Sequence, residues 1–66
     1  MEGIIKRLIK DRGFGFITVE GEAKDLYFSS SEVKDVKFEE LNEGDKVSFD
    51  KADSPKGPNA INVNRI

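Results

Sequence analysis

Arg12-Gly13-Phe14-Gly15-Phe16-Ile17 is the stretch from which the fold can be read. In a β-strand, residues two apart point to the same face. Phe14 and Phe16 then lie side by side on one surface, with Gly15 and Ile17 on the other. A strand keeps glycine where a second backbone or a ligand must come close. Two rings on an open strand face, next to a cation, suit the flat faces of unstacked bases. The opposing reading has both rings filling a core, although a core strand would then place bulk at position 15 as well.

Upstream, Ile4-Ile5-Lys6-Arg7-Leu8-Ile9-Lys10 carries apolar residues at 4, 5, 8 and 9, a spacing that also fits one helical face. The segment is short, follows Gly3 and is rich in β-branched residues. It reads as a strand whose period of two is broken by a bulge or bend. Downstream, Phe14 to Val19 is the second strand, and residues 20–24 turn around Gly21. Asp25-Leu26-Tyr27-Phe28-Ser29 is the third strand. Leu26 and Phe28 share one face, and Tyr27 and Ser29 the other. Ser29-Ser30-Ser31-Glu32 fits a capping box and starts one helical turn. From Lys34 to Glu43 the chain is polar and irregular, anchored by Val36, Phe38 and Leu41. After the turn at Asn42-Glu43-Gly44-Asp45, Lys46 to Asp50 alternates cleanly, with Val47 and Phe49 facing inward. Residues 53–58 read as a loop of turn residues, and 60–65 as the last strand. Five short strands with one long connection predict an all-β protein, a small five-stranded antiparallel barrel. The Greek-key barrel of the OB type has this count, and so has an SH3-like barrel.

The 66 residues allow one domain, 1–66, with a thin core. There is no cysteine and no histidine. Disulfides, thiolate chemistry and Cys-based metal sites are therefore excluded, as are the commonest general base and the commonest zinc ligand. Thirteen acids remain, scattered as a solvated surface. Ser29-Ser30-Ser31 near Lys34 has no triad logic. No enzyme, cofactor or metal site is expected. The N-terminus lacks the apolar run of a secretory signal, and no stretch approaches transmembrane length. The expectation is a soluble, cytoplasmic protein. The net charge of −2 is unlike that of a non-specific nucleic-acid binder. The charge is uneven, however. Lys6, Arg7, Lys10 and Arg12 face only Glu2 and Asp11 in residues 1–12, whereas ten acids face Lys24, Lys34, Lys37 and Lys46 in residues 20–50. A basic edge on an acidic body follows, and local field outweighs net charge.

The chain resembles the bacterial cold-shock proteins over nearly its full length. Glu2-Gly3 opens as those proteins do. Arg12 to Ile17 is similar to their first nucleic-acid motif, with arginine for the usual lysine, and Asp25-Leu26-Tyr27-Phe28 resembles the start of the second. Leu41, Glu43-Gly44, Val47-Ser48-Phe49 and Gly57-Pro58 with Ala60, Asn62 and Val63 fall where the family has equivalents. The resemblance implies an OB-type barrel that binds single-stranded RNA or DNA through stacked aromatics, with little sequence preference. Four customary stacking positions stay aromatic here: Phe14, Phe16, Tyr27 and Phe38. Three carry Arg7, Ser29 and Ser30 instead. Arg7 can stack by its guanidinium plane. Losing the other two costs about 2–6 kcal/mol at roughly 1–3 kcal/mol per stacked base.

The candidate interface is therefore Phe14, Phe16 and Tyr27 as stacking rings. Phe38 either flaps over a base or closes the barrel end. Lys6, Arg7, Lys10 and Arg12 supply phosphate contacts that weaken with salt, and by the resemblance Lys56 does the same from the Gly-Pro loop. Ser29 and Ser30 either hydrogen-bond a base or cap the helical turn. The expected partner is single-stranded RNA or DNA, bound by a monomer in the manner of an RNA chaperone, which favours the unpaired state by mass action. No membrane or small-molecule substrate is expected. The alternative is a protein-interaction module that uses the same exposed rings.

Overall fold

The computed structural model describes residues 1–34, 36–55 and 57–66. Its five strands are β1 (Glu2–Ile9), β2 (Phe14–Thr18), β3 (Leu26–Ser29), β4 (Lys46–Ser54) and β5 (Gly57–Arg65). They close into a barrel in the order β1-β2-β3-β5-β4, the small five-stranded OB-type architecture that the sequence predicts. One detail differs from an all-antiparallel barrel. The closing pair, β3 with β5, is parallel and meets at Tyr27 and Asn59.

β1 shows the bulge that its apolar spacing calls for. Ile5 pairs with Ile17 and Arg7 with Phe16, so Lys6 is the extra residue. Ile5 points into the core, Lys6 and Arg7 both face solvent, and Leu8 packs against the core again. A bulge re-aims the side chains that follow it. Without it, Arg7 would alternate inward beneath Phe16.

β2 and β3 alternate as predicted. Ile17, Leu26 and Phe28 are buried, joined in the core by Ile5, Leu41, Val47 and Val63. Gly15 faces this core. A Cβ there would stand 2.7 Å from the Arg7 carbonyl oxygen and 2.8 Å from Cε1 of Phe28. The close approach that the glycine permits is therefore by the β1 backbone and a core ring. Neither neighbour is a flexible side-chain end. Gly15→Ala is expected to destabilise the domain by about 1–3 kcal/mol through overpacking, read as a lower urea midpoint with an unchanged slope.

The Ser29–Glu32 signal yields a single 3₁₀ turn, Ser30–Glu32, with Ser29 Oγ accepting from the Ser31 N–H at 3.4 Å. Glu32 Oε1 accepts from the Asn62 N–H at 3.3 Å. Asn62 has φ of +51°, which asparagine tolerates better than most residues. It lies where the β4–β5 register shifts between Ser48 and Asp50. The long connection is thus tied to β5, and the Lys34 N–H donates to the Val63 carbonyl at 2.9 Å. A second 3₁₀ turn, Phe38–Glu40, follows before β4.

The loop expected over 53–58 is shorter in the structure. β4 and β5 continue as a hairpin to the Ser54–Gly57 pair, where Ser54 Oγ donates to the Gly57 carbonyl at 2.6 Å. Turn-type residues here sit at the tip of a strand pair, where Pro58 needs no ladder donor.

Candidate nucleic-acid interface

Cross-strand register builds the site. Arg7 on β1 pairs with Phe16 on β2, Phe16 with Tyr27 on β3, and Tyr27 with Asn59 on β5. This puts one row of side chains across four strands, on the outer face of the barrel. A second row runs from Ile9 through Phe14 to Ser29. Phe14 and Phe16 are half-buried, and Tyr27 is 42% exposed.

The three rings touch one another. Phe14 and Phe16 meet edge to face with centroids 5.8 Å apart, Phe16 and Tyr27 at 6.2 Å, and Phe14 and Tyr27 lie 5.5 Å apart at a 32° tilt. Such contacts are worth roughly 0.5–1.5 kcal/mol each beyond area burial. They hold the rings in place before any ligand arrives, which lowers the ordering cost of binding.

The cations are not equivalent. Arg7 and Arg12 are exposed and take part in no ion pair among the described residues. Arg12 sits in the turn before Phe14, where the Arg12 and Gly13 N–H groups both donate to the Ile9 carbonyl. Lys6 is held by the Asp25 carboxylate at 3.3 Å. Exposed pairs of this kind are worth about 0.2–1 kcal/mol, so a phosphate could displace Asp25 at small cost. Lys10 donates to the Glu39 carbonyl at 3.2 Å, reaching the second 3₁₀ turn. Lys56 lies outside the described residues.

Ser29 is beside Phe14 in register, but its hydroxyl is engaged with Ser31, whose Oγ is 3.1 Å away. Phe38 departs from the other rings. It is 7% exposed and packs on Phe28 with centroids 6.1 Å apart. Of the two expectations for Phe38, the structure places it at the barrel end, in the core. The 3₁₀ turn there leaves Glu39 and Glu40 in solvent and turns the apolar residue inward.

Two residues of the site were not singled out from the sequence. Asp25, next to β3, receives the Thr18 hydroxyl at 2.9 Å as well as Lys6. The signal was present, because Asp25 is two positions from Tyr27 and so on its face. Asn59 lines a cleft with Tyr27, Ser54, Gly57 and Pro58. Among the described residues, its Oδ1 is buried without a hydrogen-bond partner. No local pattern announces Asn59, because the β3–β5 pairing that brings it to Tyr27 is long-range.

The model of a family described as the "Cold-shock" DNA-binding domain matches residues 1–66. The chain is 41% identical over 61 residues to cold shock-like protein CspA of Bordetella pertussis, covering 92% of this chain and 91% of that one. It is 39% identical over 61 residues to cold shock-like protein CspJ of Salmonella typhi, covering 92% and 87%. It is 38% identical over 63 residues to cold shock-like protein CspG of Escherichia coli, covering 96% and 90%.

Proposed function

The chain belongs to the cold-shock domain family, and from that premise we propose that its β2–β3 face binds single-stranded RNA or DNA by base stacking, with low overall sequence preference. It is a nucleic-acid-binding protein of the cold-shock type. The observation that carries the finer reading is the cluster of Phe14, Phe16 and Tyr27, in mutual contact, flanked by Arg7 and Arg12, which form no ion pair among the described residues. Stacked bases accept any sequence, since every base has a π-face. The flanking cations track phosphates despite the acidic remainder of the surface. Ser29 and Ser30 offer no stacking surface, so fewer bases are held than by a fully aromatic platform. The role is binding rather than turnover, by a cytoplasmic monomer that holds transient unpaired segments open.

The test uses the only tyrosine of a chain without tryptophan. Tyr27 fluorescence is expected to be quenched saturably by short oligo-U and oligo-dT. With two to four cations on phosphates, the logarithm of affinity falls with log salt at a slope of about −1.4 to −2.8. No quenching at low salt from a protein with a folded far-UV spectrum overturns the reading and leaves the rings to a protein partner.

A further inference from the structure

At the β1 edge of the platform, Lys6, Arg7, Phe16 and Asp25 line a cleft of about 350 Å³, at the small end of ligand pockets. Resting on the nucleic-acid reading above, we propose that Arg7 and Asp25 make this cleft select guanine over the other bases.

The argument begins with what each wall can offer. Phe16 supplies a ring on which any base can stack. Arg7 carries only donors, in a planar fork that matches two adjacent acceptors. Asp25, as the carboxylate that pairs with Lys6, carries only acceptors and takes two adjacent donors bidentately. A base held between them must show paired acceptors on one edge and paired donors on another. Guanine does so, with O6 and N7 side by side and N1–H beside the N2 amine. Each of the other bases has a single donor group, and of them only cytosine sets two acceptors, O2 and N3, side by side, so each leaves at least one of the two walls incompletely satisfied.

The structure prepares both walls. The Lys6 bulge turns Arg7 outward opposite Phe16. Asp25 is fixed by the Thr18 hydroxyl on Oδ1, at 2.9 Å, and by the Lys6 ammonium on Oδ2, at 3.3 Å. Two carboxylate oxygens have about four lone-pair sites, which leaves room for a bidentate partner. Lys6 also offsets the negative charge that would otherwise repel a polyanion. The side chain remains 31% exposed, enough to be reached. An aromatic residue at position 7 would stack on any base without reading its edge. Arginine there exchanges general stacking for recognition of one base.

The experiment compares hexauridylate with hexamers carrying one guanosine or one adenosine at each position in turn, read by Tyr27 quenching. The guanosine hexamer is expected to bind roughly 5- to 150-fold more tightly than the adenosine hexamer at its best position, the span of one bidentate base contact. Inosine, which lacks the N2 amine, and 7-deazaguanosine, which lacks the N7 acceptor, each lose part of that gain. Arg7→Lys and Asp25→Asn both bring the guanosine-to-adenosine ratio towards one. Equal binding of all the hexamers by the wild-type protein overturns the selection and leaves the stacking function standing. An undiminished ratio in Arg7→Lys also overturns it. Absence of binding to every hexamer defeats the underlying nucleic-acid reading instead.

Discussion

Replacing Phe14 and Phe16 together by alanine is expected to weaken binding of short single strands by roughly 30-fold to more than 10⁴-fold, from about 1–3 kcal/mol per stacked base. The two rings form two sides of the three-ring cluster, so their loss also leaves Tyr27 without its neighbours. Rings in contact are coupled, and the double variant need not equal the sum of the singles. The fold should survive, because both rings stand on the outer face and none of the fully buried core is touched. The loss to stability is limited to the ring–ring contacts and partial burial. Far-UV dichroism and a thermal melt check that the domain is folded, and Tyr27 quenching gives the affinity. An unchanged affinity in a folded double variant would remove these rings from the interface. An affinity lost in step with the melting temperature would mean that they act through the fold instead.

The parts of this arrangement visible in the sequence are those set by near neighbours. Alternation over Phe14–Ile17 and Leu26–Ser29 assigns every side chain of β2 and β3 to its face, because a strand's period is two. The three-residue step from Ile5 to Leu8 requires a bulge for both to face inward, and one is found at Lys6. Glycine at position 15 implies a close approach, and its partners are the β1 carbonyl and Phe28. What distant partners decide was not legible. Phe38 lies between Lys37 and Glu39, and its local pattern fits a flap as well as a plug. The outcome is set by its packing on the buried Phe28 ring. Lys6 and Arg7 are alike as neighbouring cations in the sequence, and the position of Asp25 pairs Lys6, whereas Arg7 forms no ion pair among the described residues. Asn59 enters the site through a parallel pairing between the third and fifth strands that no short-range signal encodes. The turn residues of 53–58 are evident in the sequence, yet turn chemistry does not say how far a hairpin's strands run before it.

Tyr27 and Phe28 are chain neighbours on opposite faces of β3, and their opposite surroundings predict opposite consequences. Phe28 is fully buried. Its ring meets Phe38 at 6.1 Å and lies where Gly15 can carry no side chain. Phe28→Ala is expected to cost about 3–5 kcal/mol, from lost burial and the cavity left behind. A domain of this size has in total about 3–10 kcal/mol, at roughly 0.05–0.15 kcal/mol per residue. The melting temperature should therefore fall by more than about 12 °C, at roughly 4–8 °C per kcal/mol, and the variant is at the edge of unfolding at 25 °C. Phe28→Leu fills more of the space and keeps the effect measurable if the alanine variant does not fold. Affinity for single strands should then drop only by the fraction of molecules unfolded, since the binding-competent population is all that has changed. The Phe14/Phe16 double variant should show the reverse pattern, a near-native melt with lost affinity. A Phe28→Ala protein that melts like wild type would mean that this ring does not carry the core. One that stays folded but cannot bind would mean that the two faces of β3 are not independent, and that the platform depends on the core beneath it for its shape.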